Sequence, residues 1–143
     1  MPDSHSCLHL EELIHALRAC IAHLRHLHVL SQTETLMLDQ ADYTGLSDVV
    51  KSKEALVTQM LEMRETVAHA MQQVDLEQTS GEWNQLLRSL SGEATRMIAL
   101  VSDVDNRNRL RLESLRSVTI RSLHSLQHTR HLHQTYVVDR LEP

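Results

Sequence analysis

The chain has 143 residues with no phenylalanine, three glycines, two prolines and 2% aromatic residues, and its formal net charge is −5. This composition excludes a β-sheet protein, because sheets need turn glycines, aromatic residues and β-branched runs. The acidic balance excludes a general attraction to nucleic acid or anionic lipid, and every apolar run is far shorter than the roughly 20 residues that span a bilayer. The sequence therefore predicts a cytoplasmic, all-α protein with one domain, residues 1–143, and no stable membrane insertion.

The first predicted helix covers about residues 6–41. Its apolar residues recur in alternating steps of three and four, at Leu10, Leu13, Leu17, Cys20, Leu24 and Leu27. This spacing is typical of an amphipathic helix that packs its apolar face against neighbouring helices. The stripe weakens at Ser31 and Glu34, before Leu38.

The second predicted helix covers about residues 44–75 and follows a corner at about residues 41–45, where Asp42 and Gly45 favour a turn. Its stripe consists of Leu46, Val49, Lys53, Leu56, Met60, Met63, Val67, Ala70 and Val74. Lys53 occupies a position at which the stripe predicts an apolar residue. We expect its methylene stem to cover the apolar seam while its ammonium group reaches the solvent.

The third predicted helix covers about residues 82–133, after a second corner at about residues 76–81. Its stripe begins with Trp83, Leu87, Leu90, Ala94, Met97, Val101 and Val104, and continues, partly polar, with Asn108, Leu112, Leu115, Thr119, Ser122 and Leu126. Short corners make consecutive helices double back, so the sequence predicts an antiparallel bundle of three long helices with coiled-coil-like packing. A rise of 1.5 Å per residue gives the third helix about 75 Å and the others about 50 Å, which predicts an extended C-terminal helix.

Few residues are arranged for catalysis or for metal binding. The chain has no glycine-rich phosphate loop, no nucleophile elbow and no cysteine in an activating motif, so we expect no enzyme activity and no cofactor. His124, His128 and His131 share one helical face at a spacing from which metal ligands can project together. No acidic residue completes a recognised signature, so these histidines are weak candidates and we predict no metal site.

The second half of the third helix carries a positive excess and spreads its apolar residues around much of its circumference. Its arginines are Arg107, Arg109, Arg111, Arg116, Arg121 and Arg130. An arginine-rich helix is compatible with nucleic acid or an acidic partner. The extra apolar surface favours a protein partner, such as an amphipathic helix, and packing against the first helix or in a homodimer is an equally weighted alternative.

Three groups of residues, in this order and spacing, resemble the FlgN family of cytosolic flagellar export chaperones. The first precedes the middle of the chain, the second lies in the third helix, and the third is a Thr-Tyr pair near the C-terminus. They are Asp42, Leu46, Val49, Lys53, Leu56 and Met60; Asn106, Arg107, Asn108, Leu112, Ser114 and Leu115; and Thr135 and Tyr136. The resemblance covers nearly the whole chain.

This resemblance implies a chaperone that binds the C-terminal amphipathic helices of the hook-associated proteins FlgK and FlgL. Such a chaperone prevents premature assembly and delivers its clients to the flagellar type III export apparatus. Because the C-terminal part carries client binding in the family, the candidate contacts here are Asn106, Asn108, Leu112, Leu115, Val118, Leu123 and Leu126. Two alternatives stay open: a homodimeric structural or regulatory coiled-coil protein, and a metal- or nucleic-acid-binding regulator.

Overall fold

The computed structural model describes residues 4–74 and 81–141, with side chains described for residues 8–74 and 81–135. The described residues form three α-helices and no strand: α1 (Ser4–Asp39), α2 (Tyr43–Gln73) and α3 (Gly81–Leu141). The predicted all-α class and the order of three long helices are therefore confirmed.

The helix limits differ from the predicted ones mainly at the C-terminus. The helix α3 continues to Leu141, eight residues beyond the predicted end at residue 133. No proline or glycine interrupts residues 134–141, so nothing in the sequence requires the helix to end at residue 133. The helix α3 also continues through Gly92 and the polar residues 103–109. Apart from Gly81, the predicted second corner lies outside the described residues.

The contacts divide the chain into two compact units, residues 1–108 and residues 109–143. The first unit contains α1, α2 and the beginning of α3, and the second contains the rest of α3. Within the first unit α2 runs antiparallel to both neighbours, because Lys53 reaches Glu34 of α1 and Asp105 of α3 while Leu56 packs with Leu27 and Val101. That a single domain covers residues 1–143 stays a prediction.

The first unit buries the apolar stripes of its three helices in two clusters. The larger cluster contains Leu10, Leu13, Ile14, Ile21, Ala70, Leu87 and Leu90, and the smaller contains Leu27, Leu56 and Val101. The alternating steps of three and four thus identified the packed faces correctly. Trp83 differs, because 37% of its surface is exposed and it lines a surface groove with Ile14 and Arg18 of α1.

A tight corner joins α1 to α2. The backbone N–H of Asp42 donates to the Met37 carbonyl at 2.9 Å, and that of Ala41 donates to the Leu38 carbonyl at 3.3 Å. These two bonds form a Schellman motif, whose left-handed residue is usually glycine. Here that residue is Ala41, with φ of 53°. Asp42 then caps α2, because its carboxylate accepts from the Gly45 N–H at 2.9 Å.

We expect Ala41→Gly to raise the free energy of unfolding by roughly 0.5–1 kcal/mol, because glycine adopts the left-handed conformation without the Cβ penalty. Ala55→Gly is the matched control, since Ala55 is an exposed residue inside α2. There the same substitution should lower the free energy of unfolding by about 0.5–1 kcal/mol. Urea denaturation of both variants checks the prediction, and the same sign of change at the two positions would contradict it.

A group of polar residues interrupts the apolar core of the first unit and joins all three helices; we call it the polar layer. It consists of Ser31, Glu34, Thr35, Lys53, Asp105 and Asn108. The Lys53 ammonium lies 2.6 Å from Asp105 Oδ1 and 3.2 Å from Glu34 Oε2. The Ser31 hydroxyl donates to the same Asp105 oxygen at 2.6 Å. Asn108 donates to the Ser31 carbonyl at 3.0 Å and accepts from the Thr35 hydroxyl at 2.7 Å.

The expectation that Lys53 reaches the solvent is wrong. Its side chain is only 14% exposed, and its ammonium group is paired with the carboxylates of Glu34 and Asp105. The reason is geometric, because two carboxylates from α1 and α3 converge on the position where α2 carries the lysine. The same geometry explains why the α1 stripe becomes polar at Ser31 and Glu34.

We expect Lys53→Met to lower the free energy of unfolding by roughly 2–4 kcal/mol, because it leaves two carboxylates without their cation. The loss should be below the about 5 kcal/mol of a fully buried pair, since the Asp105 side chain is 38% exposed.

Lys51→Met is the control, because Lys51 is exposed two residues away on the same helix. Its free energy of unfolding should stay within about 0.5 kcal/mol of that of the original chain. Equal, small effects of the two substitutions in urea denaturation would show that the Lys53 ammonium is hydrated after all.

Candidate functional site

The second unit carries large apolar side chains that are exposed to solvent. We call them the C-terminal apolar surface: Leu110, Leu112, Val118, Ile120, Leu123, Leu126 and Leu132. The exposed fraction reaches 66% at Leu126. Isolated exposed leucines are common on proteins, but a run of them along one helix is typical of a surface that another molecule covers.

Most of the predicted client contacts in this unit share one helical face. At about 100° per residue, Leu112, Leu115, Leu123 and Leu126 fall within about 80° of the circumference. Leu115 is half-buried and the other three are exposed. Val118 is also exposed but lies about 60° beyond Leu115, at the border of this face. The structure therefore brings the four leucines together and leaves Val118 beside them.

Thr119 lies between the leucines of this face without disturbing its apolar character. Its hydroxyl donates to the Leu115 carbonyl at 2.8 Å, within the same helix. Because the polar group is already bonded to the backbone, the threonine leaves its methyl group for contact.

The two asparagines of the predicted site belong to the first unit and differ from each other. Asn106 is exposed. Asn108 is only 2% exposed, and its amide is bonded to Ser31 and Thr35 in the polar layer. Geometry therefore assigns Asn108 to the interior of the bundle, where it holds α3 against α1, and it is not available on the surface described here.

The histidines His124, His128 and His131 are exposed on the second unit. Among the side chains that the structure describes, no group of three histidine, cysteine, aspartate or glutamate residues is placed to hold a metal ion. The shared helical face thus does not bring these three imidazoles to one coordination point.

The two units have opposite charges. Residues 1–108 carry a formal net charge of −8 and residues 109–143 carry +3, which together give the −5 of the chain. In residues 109–135, five arginines stand against the single acidic residue Glu113. Arg109 lies 3.6 Å from Glu113, and both side chains are more than 60% exposed. An exposed pair of this kind contributes little to stability, so Arg109 can exchange Glu113 for a carboxylate of a partner.

Sequence reasoning did not identify the polar layer as a unit, although it noted most of its members separately. The available signal was that polar residues occupy stripe positions in every helix, at Ser31 and Glu34, at Lys53 and at Asn108. Polar residues at seam positions of a bundle commonly pair with each other, because an unpaired one is costly.

In the described residues, no helix contains a segment long and apolar enough to cross a membrane. No curated protein and no solved structure matches the chain. A model of a protein family, described as FlgN protein, matches residues 1–139. This match spans almost the entire sequence and confirms the resemblance found in its motifs. The chain belongs to the FlgN family.

Proposed function

We propose that this member of a flagellar export chaperone family binds the C-terminal amphipathic helices of hook-associated proteins that resemble FlgK and FlgL. The binding site in this proposal is the face formed by Leu112, Leu115, Leu123 and Leu126, with Val118 at its border. The observation that supports it is the exposure of these apolar side chains along one helix. An amphipathic helix from another protein is the kind of partner that covers such a surface.

The client helices have apolar faces that need to be masked before export. Helices that assemble through apolar faces associate prematurely unless those faces are masked, and a chaperone masks them with apolar residues of its own. In this proposal the chaperone acts in the cytoplasm, before export, and carries its client to the flagellar type III export apparatus. The function requires neither a catalytic step nor a cofactor.

The size of the apolar contribution is compatible with release. Four partly exposed leucines that become buried contribute about 4–6 kcal/mol in total. Association costs about 4–15 kcal/mol in lost motion and ordering. The leucines alone therefore do not give a permanent complex, and the client stays exchangeable, as delivery requires.

We expect Leu123→Ser combined with Leu126→Ser to weaken binding of a FlgK-like or FlgL-like protein roughly 30- to 150-fold. This corresponds to about 1–1.5 kcal/mol lost for each leucine that no longer becomes buried. Titration calorimetry with the purified client measures the effect.

Leu61→Ser combined with Met71→Ser is the matched control, because these α2 side chains are as exposed, at 58% and 53%, but belong to the first unit. The control should bind the client as the original chain does. Equal losses in both variants would exclude the proposed surface, and no client binding by the original chain at micromolar concentration would exclude the function. A stable homodimer whose dissociation follows the Leu123 and Leu126 substitutions would favour the homodimeric alternative.

A further inference from the structure

The residues that flank the apolar face of the second unit show which kind of helix fits it. In the heptad pattern of this unit, the a and d positions form what we call the C-terminal seam: Leu112, Leu115, Thr119, Ser122 and Leu126. The e and g positions lie directly beside such a seam and pair with the partner helix. These flanking residues therefore determine which partners are compatible.

In residues 109–135, arginine occupies half of the flanking positions and no acidic residue occupies one. The e positions are Arg109, Arg116, Leu123 and Arg130, and the g positions are Arg111, Val118, Ser125 and Leu132. The single acidic residue of residues 109–135 is Glu113, at a b position. The flanks thus present positive charge along the exposed leucines, on both sides at the N-terminal end of the seam and on the e side beyond it.

A second copy of this helix does not fit such flanks. In a parallel pair, each g residue faces the following e residue of the partner, which sets Arg111 of one copy against Arg116 of the other. In an antiparallel pair, e positions face e positions, which again sets arginine against arginine. Like charges at these positions disfavour pairing, so the flanks select against a homodimer through this seam.

We propose that the partner of the C-terminal seam is an amphipathic helix with acidic residues along the side of its apolar stripe that faces the e positions of the seam. This inference rests on the proposed function, because it specifies the chemistry of the client helix. Glutamate or aspartate at the flanking positions of the client pairs with Arg109, Arg116 and Arg130, while its apolar residues cover Leu112, Leu115 and Leu126. The charge pairs supply orientation and partner choice in addition to the apolar contact.

Labelled peptides of one design test this inference with the full-length chain. Three peptides share the same leucine stripe and carry glutamate, glutamine or lysine at the flanking positions. Fluorescence anisotropy at submicromolar peptide, in roughly 50 mM and 300 mM NaCl, gives their affinities. The glutamate peptide should bind about tenfold more tightly than the glutamine peptide at low salt, and this difference should shrink at high salt.

The variant R109E/R116E/R130E should shift the preference to the lysine peptide. The control R64E/R88E/R96E makes the same charge change at exposed arginines of the first unit and should keep the preference for glutamate. Circular dichroism and thermal unfolding verify that both variants are folded. The peptide series on the original chain gives an answer even if a variant is not.

Equal affinity of the original chain for the three peptides overturns the inference. So does a stable dimer through the seam, or comparable binding to vesicles that contain about 30% phosphatidylglycerol, because a basic amphipathic helix also fits an anionic membrane surface. The two proposals fail separately. Equal peptide binding with client binding that depends on Leu123 and Leu126 removes only the acidic partner, whereas no binding of hook-associated proteins removes the proposed function.

Discussion

The ammonium group of Lys53, held between Glu34 and Asp105, fixes how the three helices of the first unit are aligned. Each of these residues comes from a different helix, and the Lys53 ammonium lies 2.6 Å from Asp105 and 3.2 Å from Glu34. An apolar stripe with a repeated three-four spacing tolerates a shift of one heptad, because leucine then meets leucine again. A shift here separates a half-buried lysine from its carboxylates, which costs several kcal/mol. The polar layer therefore specifies the register that the leucines leave open.

The same three-four spacing of apolar residues continues through α3, but it forms core in the first unit and an exposed face in the second. Between Leu87 and Val101 its stripe residues are buried or half-buried in the first unit, whereas between Leu112 and Leu126 almost all apolar residues are exposed. Only the surroundings distinguish the two parts, since the spacing is unchanged. Polar seam residues mark the difference: Asn108 is satisfied by Ser31 and Thr35, whereas Thr119 is satisfied within its own helix. Because the Thr119 hydroxyl needs no hydrogen-bond partner from another helix, this face can pack against the apolar side chains of a partner.

The helices and most of the core could be predicted from the sequence. A buried helix face requires apolar residues at helical spacing, and a single sequence shows that spacing. The pairing of Lys53 with Glu34 and Asp105 could not be predicted from it. A single stripe shows that a polar residue interrupts it, but not that the interruptions at Ser31, Lys53 and Asn108 meet at one level of the bundle. Resemblance placed Asn108 in the client site, whereas its burial depends on α1 residues more than seventy positions away. The end of α3 was predicted too early, because no proline or glycine in residues 134–141 marks a helix end.

The arginines that flank the seam allow selective binding of a partner helix without a large apolar interface, so the partner can still dissociate. Leucines alone bind any apolar helix, including a second copy of this one, so they contribute affinity but no selectivity. Arginines beside them lower the affinity for a second copy and raise it for an acidic helix, and they do so through exposed charges that salt weakens. Arginine also binds carboxylates through a planar fork, which adds orientation to attraction. Selectivity of this kind comes from the borders of the interface. The apolar area can therefore stay small enough for the partner to leave.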